Sequence, residues 1–245
     1  MSDSIRYECT DENYHPRRMR EKCMSSTRTE QLERFDAWGG IVMLVAGVAL
    51  AGVAVYKTVF AFTSVEVSTI VDIGYGGLAL VLTGVALLGL YPRVRDVSPK
   101  TAAIATVSSG LSVSFVIAVW GWLFGTTLQL GRVPVIPEEA PVWTVLALLG
   151  NFITLSAGFI LFAVASRRTA AIPRSASRLL ILPAFMWLGL IANIAINLIP
   201  NMSILVYVVN GITVGAIGYI IRGQENRTSS QVHATETPTS QGEAP

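Results

Sequence analysis

The stretch "LLILPAFMWLGLIANIAINLIPNMSILVYVVNGITVGAIGYII", residues 179–221, contains no Asp, Glu, Lys or Arg. It divides near Pro200 into two apolar runs, 179–199 and 202–221, and each is long enough to cross a bilayer as a helix. Pro200 cannot continue a helical hydrogen-bond ladder, and Asn201 is suited to a turn. The two runs therefore predict a tight antiparallel hairpin of membrane-spanning helices.

Four similar runs precede this hairpin, and the whole chain is 52% hydrophobic and only 14% charged. A soluble helical bundle would need polar faces at a period of 3.6 residues, whereas these runs are apolar all round. The sequence predicts an all-α polytopic membrane protein, a bundle of six transmembrane helices within residues 37–222. The predicted spans are 38–62, 69–91, 102–127, 141–165, 179–199 and 202–221.

Positive charge alternates along the chain. Of the 18 Lys and Arg residues, 16 fall before the first span, in 92–101, in 167–178 or from Arg222 onward, and only Lys57 and Arg132 fall on the other side. The positive-inside rule then places both termini in the cytoplasm of a multi-pass cell-membrane protein. No aromatic residues interleave the basic loops, so we expect them to face lipid headgroups and not nucleic acid.

The two ends of the chain are polar, and we expect residues 1–36 and 223–245 to be disordered cytoplasmic segments. The stretch that begins at Met24 looks like a natural amino terminus, which makes residues 1–23 a candidate over-extension of the reading frame. Cys9, Cys23 and His15 are too few for a structural zinc site, so the sequence predicts no metal and no cofactor. Abundant Ala, Val and Gly and the preference for Arg over Lys favour a prokaryotic source.

The last third of the chain, from "SRRTAAIPRSASRLLIL" to "IGYIIRG", resembles small six-span prokaryotic integral membrane proteins of unknown function. In these proteins, too, a basic loop with a Pro-Arg step precedes the final helical hairpin. The resemblance covers about 60 residues. It implies a membrane location and no particular activity.

Few residues in the spans can carry chemistry. There is no His between His15 and His233 and no carboxylate near the middle of a span, so we expect no enzymatic activity. Lys57 and Asp72 lie at similar depth in neighbouring spans and could form an intramembrane ion pair. The alternative is a snorkelling lysine beside an interfacial aspartate.

Asparagines recur at four-residue spacing from the fifth span into the turn after it, at 193, 197 and 201, a spacing that places residues on one helix face. If the hairpin turns at Pro200–Ser203, Asn193 lies level with Asn210, and Asn151 falls in the same layer. Because an unpaired amide in hydrocarbon is unfavourable by several kcal/mol, these side chains should turn inward, with Asn193 bonded to Asn210. Their role is then either to join the last three helices or to line an outward-facing cavity. The candidate ligand-binding residues are Asn151, Asn193, Asn197, Asn210 and Tyr207.

Small residues indicate where helices approach closely. Gly211 and Gly215 form a GxxxG motif that could pack against another helix or a second copy of the protein, and Gly47, Ala51 and Ala54 form a similar face. A non-enzymatic accessory, structural or sensing membrane component is the first functional hypothesis. The alternative is a small transporter or channel for a polar or cationic solute that uses the asparagine-lined cavity.

Overall fold

The computed structural model describes residues 38–59, 69–131, 139–168, 172–196 and 198–235. Within these ranges, the side chains of 69–73, 195 and 225–235 are not described. Every regular element in these ranges is an α-helix. The helices are α1 (Trp38–Val59), α2 (Thr69–Leu88), α3 (Tyr91–Arg95), α4 (Pro99–Leu130), α5 (Val142–Ser166), α6 (Arg174–Leu179), α7 (Ile181–Ile196) and α8 (Met202–Thr235). Residues 1–23 and the start-site question lie outside the described ranges.

Six spans within the described residues are long and apolar enough to cross a membrane, which confirms the predicted fold class. The second span runs from Gly74 to Arg95 through α2 and α3, and the fifth runs from Arg174 to Ile194 through α6 and α7. The fifth span is interrupted at Leu180, one turn before Pro183. Pro183 has no backbone N–H, so the helical hydrogen bond back to Leu179 cannot form. The apolar residues on the outside of the bundle face the lipid.

The helices alternate in direction and follow one another around the bundle. Each span packs antiparallel against the next one in sequence, and α8 returns to α1. The contacts that show this are Gly39 with Gly89, Gly84 with Val113, Gly150 with Phe115, Phe152 with Trp187, Trp187 with Tyr207, and Gly211 with Ala51. The start of α1 and Arg222 in α8 therefore lie at the same end of the bundle. We call this end, which also holds the α3–α4 and α5–α6 connections, the basic end, and the opposite one the non-basic end.

The glycines of the sixth span close the bundle by lying directly on α1. A Cβ added to Gly211 would lie 2.6 Å from the backbone nitrogen of Ala51, and one added to Gly218 would lie 2.6 Å from that of Leu44. A Cβ on Gly47 would overlap the backbone of Gly215. Only residues without a side chain permit this approach. The Gly211–Gly215 face, which the sequence offered to another helix or a second copy, is thus occupied by the chain's own first helix.

Helix α8, which contains the sixth span, continues past the membrane-spanning part. The segment from 223 onward was predicted to be disordered, but α8 runs on to Thr235, and residues 236–245 lie outside the described ranges. A formed helix extends with one backbone hydrogen bond for each residue added, and residues 224–235 contain neither Gly nor Pro. The described structure is helical to Thr235, and the disordered cytoplasmic tail over 223–245 stays a prediction.

Candidate functional site

A partly open cavity of about 160 Å³ lies toward the non-basic end, and residues from five of the spans line it. Its volume is several times the roughly 30 Å³ that one water occupies in the liquid. It is lined by Lys57, Gly76, Gly77, Leu80, Phe115, Val116, Val119, Trp120, Leu123, Leu148, Asn151 and Tyr207. Three residues that the sequence singled out, Lys57, Asn151 and Tyr207, therefore meet at one space.

Asn151 is held in a fixed orientation by a neighbouring helix. The Ser112 hydroxyl on α4 donates a 2.6 Å hydrogen bond to Oδ1 of Asn151 on α5, and both residues are buried. The Nδ2 group of Asn151 is inaccessible to solvent and has no hydrogen-bond partner in the described part of the chain. Buried amide donors in proteins are nearly always paired, so this one is a candidate for contact with a bound molecule or water.

A second unpaired donor belongs to Trp120 on α4, which also lines the cavity. Its Nε1 is buried and has no partner among the described residues. The indole lies on the glycine face of α2, where a Cβ added to Gly77 would come within 3.1 Å of that same nitrogen. Gly77 thus makes the space in which the ring sits, and the ring brings an N–H group to the cavity region.

Aromatic rings support one side of this region. Trp187 is fully buried and stacks on Phe152, with ring centroids 5.2 Å apart. Tyr207 meets Trp187 edge to face at 5.7 Å. Trp187 therefore faces protein and not lipid. These contacts join α5, α7 and α8 at the depth of Asn151 and hold Tyr207 in place.

Asn210 lies one turn further along α8 than Tyr207, toward the basic end. It is completely buried, and neither its Oδ1 nor its Nδ2 has a hydrogen-bond partner in the described structure. It is not part of the cavity lining. On the basic-end side of the cavity, therefore, the bundle contains an amide that no described residue hydrogen-bonds.

The predicted hydrogen bond between Asn193 and Asn210 is wrong. The Nδ2 of Asn193 donates to the Ile199 carbonyl at 3.0 Å, and its Oδ1 accepts from the Ile199 N–H at 2.7 Å. The reason is the register of the hairpin. The contacts of Trp187 with Tyr207 and of Gly189 with Met202 place Asn210 level with the first half of α7. Asn210 is therefore much closer to the basic end than Asn193 is. The helix ends at Ile196, so the loop after it needs hydrogen-bond partners, and Asn193 supplies two.

The other members of the asparagine stripe belong to the same connection. Asn201 is exposed, has φ +56°, and accepts from the Ile204 N–H at 2.9 Å, so its predicted place in the turn is confirmed. Asparagine tolerates this left-handed conformation better than most residues do. Asn197 lies outside the described residues. The stripe is therefore not a single inward seam, because Asn193 and Asn201 shape the turn.

The proposed Lys57–Asp72 ion pair stays a prediction, because the side chain of Asp72 is outside the described set. Lys57 itself is half-buried and lines the cavity. Sequence reasoning missed Ser112 and Trp120. Trp120 lies near the end of its predicted span, where a tryptophan is usually an interfacial anchor. Ser112 could have been found from its spacing, since Ser109, Ser112, Val116 and Val119 recur on one buried face of α4.

Comparisons of this chain with protein-family models, with curated proteins and with solved structures find no match. The functional argument therefore depends on the geometry of the bundle alone.

Proposed function

We propose that this multi-pass membrane protein is a non-enzymatic component that binds a small polar solute in the cavity at its non-basic end. One observation carries the proposal: two residues that line the same cavity, Asn151 and Trp120, each hold a buried N–H group without a partner among the described residues. Leaving such donors unpaired in an apolar interior is unfavourable by roughly 1–3 kcal/mol each. Neither nitrogen is accessible to a water-sized molecule in this structure, so a ligand with acceptor oxygens would relieve both penalties once the two side chains turn toward it.

The solute class follows from the same groups. The Ser112 hydroxyl occupies an acceptor position of Asn151, and indole N–H groups only donate. Lys57 adds an ammonium group to the lining. The ligand that fits is a small neutral or anionic molecule with carbonyl or carboxylate oxygens, rather than the cationic solute that the sequence also allowed.

Binding can be tested by thermal unfolding of the purified protein in detergent with acetamide, acetate or methylammonium as probes. Acetamide or acetate should raise the unfolding temperature, because a ligand that binds only the native state stabilises it. Methylammonium, which has no acceptor, should not. The rise should disappear in Trp120→Phe, which keeps a ring but loses the N–H, and should persist in Trp122→Phe, whose ring contacts Trp143 instead. No rise, or an equal rise in both variants, would overturn the proposal.

A second candidate function is transport of the same solute, and Asn210 is the observation that favours it. A carrier needs polar groups beyond its binding cavity. Asn210 lies one turn closer to the basic end than Tyr207, and its buried amide has no hydrogen-bond partner among the described residues. Proteoliposome swelling in acetamide and glycerol gradients tests this function. Swelling above that of empty liposomes, reduced in Asn210→Leu, supports a carrier, and no excess swelling rejects it.

We further propose that both termini face the cytoplasm of a prokaryotic cell. The asymmetry of Lys and Arg in the sequence supports this orientation. The bundle supports it as well, because the start of α1 and Arg222 share the end at which the basic connections lie. The solute cavity then opens on the extracytoplasmic side.

A further inference from the structure

A second cavity, of about 360 Å³, lies at the basic end where α5 gives way to α6. It is lined by Ser166, Arg167, Arg174, Ser177 and Arg178, and no carboxylate of the described residues contributes to it. It lies at the opposite end of the bundle from the solute cavity and has no residue in common with it. Three guanidinium groups around one space make a site for an anion.

Two buried serines fix the walls of this site. The Ser166 hydroxyl lies 2.7 Å from that of Ser177, and the Ser177 hydroxyl also contacts the Ala163 carbonyl at 3.2 Å. Both serines are almost fully buried. Each is followed directly by an arginine of the cavity, so the hydroxyl pair holds Arg167 and Arg178 beside each other across the α5–α6 connection.

The fifth span continues this basic site into the membrane. Arg174 and Arg178 lie one turn apart on α6, and Leu182 and Phe185 lie on α7, just past the interruption at Leu180. All four are exposed, with Leu182 and Phe185 at 42% and 62%. Exposed guanidinium groups are thus followed along the fifth span by exposed apolar side chains.

We propose that this cavity binds the phosphate group of an anionic phospholipid from the basic-side leaflet. Guanidinium groups pair with phosphate oxygens through two parallel hydrogen bonds, and three of them around one space favour a phosphate over a single diffuse charge. The lipid is favoured as the source of the phosphate because Leu182 and Phe185 lie where its acyl chains would run. A free phosphate or soluble phosphate ester shares the headgroup chemistry but gains nothing from this apolar face.

The test is native mass spectrometry of the full-length protein in detergent, titrated with phosphatidylglycerol or phosphatidylcholine. The site variant is the triple substitution Arg167→Gln, Arg174→Gln and Arg178→Gln. The matched control is Lys100→Gln, Arg168→Gln and Arg222→Gln, which removes the same charge from exposed positions at the same end. Inorganic phosphate and glycerol 3-phosphate form the soluble arm, and thermal unfolding checks that both variants are folded.

Wild-type protein should bind phosphatidylglycerol in preference to phosphatidylcholine. The site variant should bind it more weakly on the order of a hundredfold, because charge-assisted hydrogen bonds from three guanidinium groups are lost, and the control only slightly. Equal losses in site variant and control would overturn the proposal, because general surface charge would then explain binding. Arginine-dependent binding of soluble phosphate without phosphatidylglycerol binding would overturn the lipid assignment. If the site variant alone fails to fold, Arg178→Lys replaces it, and unchanged preference for phosphatidylglycerol over phosphatidylcholine in that variant also counts against the bidentate site.

Discussion

The Ser112 hydroxyl on α4 lies 2.6 Å from Oδ1 of Asn151 on α5, and this hydrogen bond joins two helices inside the bundle. It pairs Oδ1 of the amide with Ser112 and leaves Nδ2 without a partner among the described residues. The candidate solute site thus depends on a side chain that does not itself line the cavity.

Replacing Ser112 with Ala should lower the free energy of unfolding by about 1–3 kcal/mol, because the Asn151 oxygen would lose its only described donor. Ser114→Ala is the control on the same helix. Its hydroxyl is exposed and bonds within α4 to the Gly110 carbonyl, so the change should stay within about 0.5 kcal/mol. Chemical unfolding in mixed detergent measures both values, and equal effects would show that the interhelical bond contributes nothing.

The two asparagines of the final hairpin should respond in opposite directions. Asn210→Leu removes a buried amide without a partner in the described structure, so stability should rise by about 1–3 kcal/mol. Asn193→Leu leaves the N–H and C=O of Ile199 unpaired, so stability should fall. The double variant should show the sum of the two effects, because these residues do not touch. A coupling above about 0.5 kcal/mol would restore the direct pair that the sequence suggested.

Glycines at the α1–α8 contact should differ sharply from glycines on the bundle surface. Gly211→Ala and Gly218→Ala place a methyl group against the backbone of α1 and should lower stability by about 1–3 kcal/mol or more. A Cβ added to Gly121 or Gly125 would meet no atom of a neighbouring helix within 4 Å. Both lie inside α4, so Gly121→Ala and Gly125→Ala should be neutral or stabilising by up to about 1 kcal/mol. Similar losses in both pairs would mean that α1 does not pack on α8 in this way.

The orientation of the bundle can be measured with reporters that are active only outside the cytoplasm. A fusion after Arg222 should be silent, and an insertion at Pro137 should be active, because positive charge holds the basic end inside. The pattern would be the reverse if the charge asymmetry did not set the topology. In that case the solute cavity would open to the cytoplasm and the phosphate site would face the outer leaflet.

The sequence was sufficient for the fold because long apolar runs leave the backbone no alternative in lipid. The same runs do not show where the site lies, because nearly every position in them is apolar and the periodicity does not indicate which helix face points inward. The Asn193–Asn210 error has a specific cause. Helix α7 ends at Ile196, and residues 198–201 are not helical, so the register differs by more than a turn from that of a hairpin that turns tightly at Pro200.

Trp120 is a second residue whose role in the cavity does not follow from its position in the sequence. A tryptophan near the end of a span is usually an interfacial anchor, and only its contact with Gly77 on another helix shows it to be a cavity residue. Lys57, Asn151 and Tyr207 were found from sequence because ionisable and polar groups are unfavourable in hydrocarbon and must turn inward. Their convergence on one cavity depends on the order of helices around the bundle, which composition does not determine.

Cysteine accessibility tests most directly whether the cavity at the non-basic end admits polar molecules. In a background with Cys9→Ser and Cys23→Ser, Val119→Cys and Leu123→Cys would line the cavity, and Ile117→Cys and Phe124→Cys would face lipid from the same helix. The rate of modification by a negatively charged methanethiosulfonate reagent is measured in proteoliposomes, since such reagents react with the thiolate, which needs water around it. The account predicts that the two cavity cysteines react several times faster than the two lipid-facing ones. Equal rates at all four positions would contradict it, because the cavity would then be closed to polar solutes.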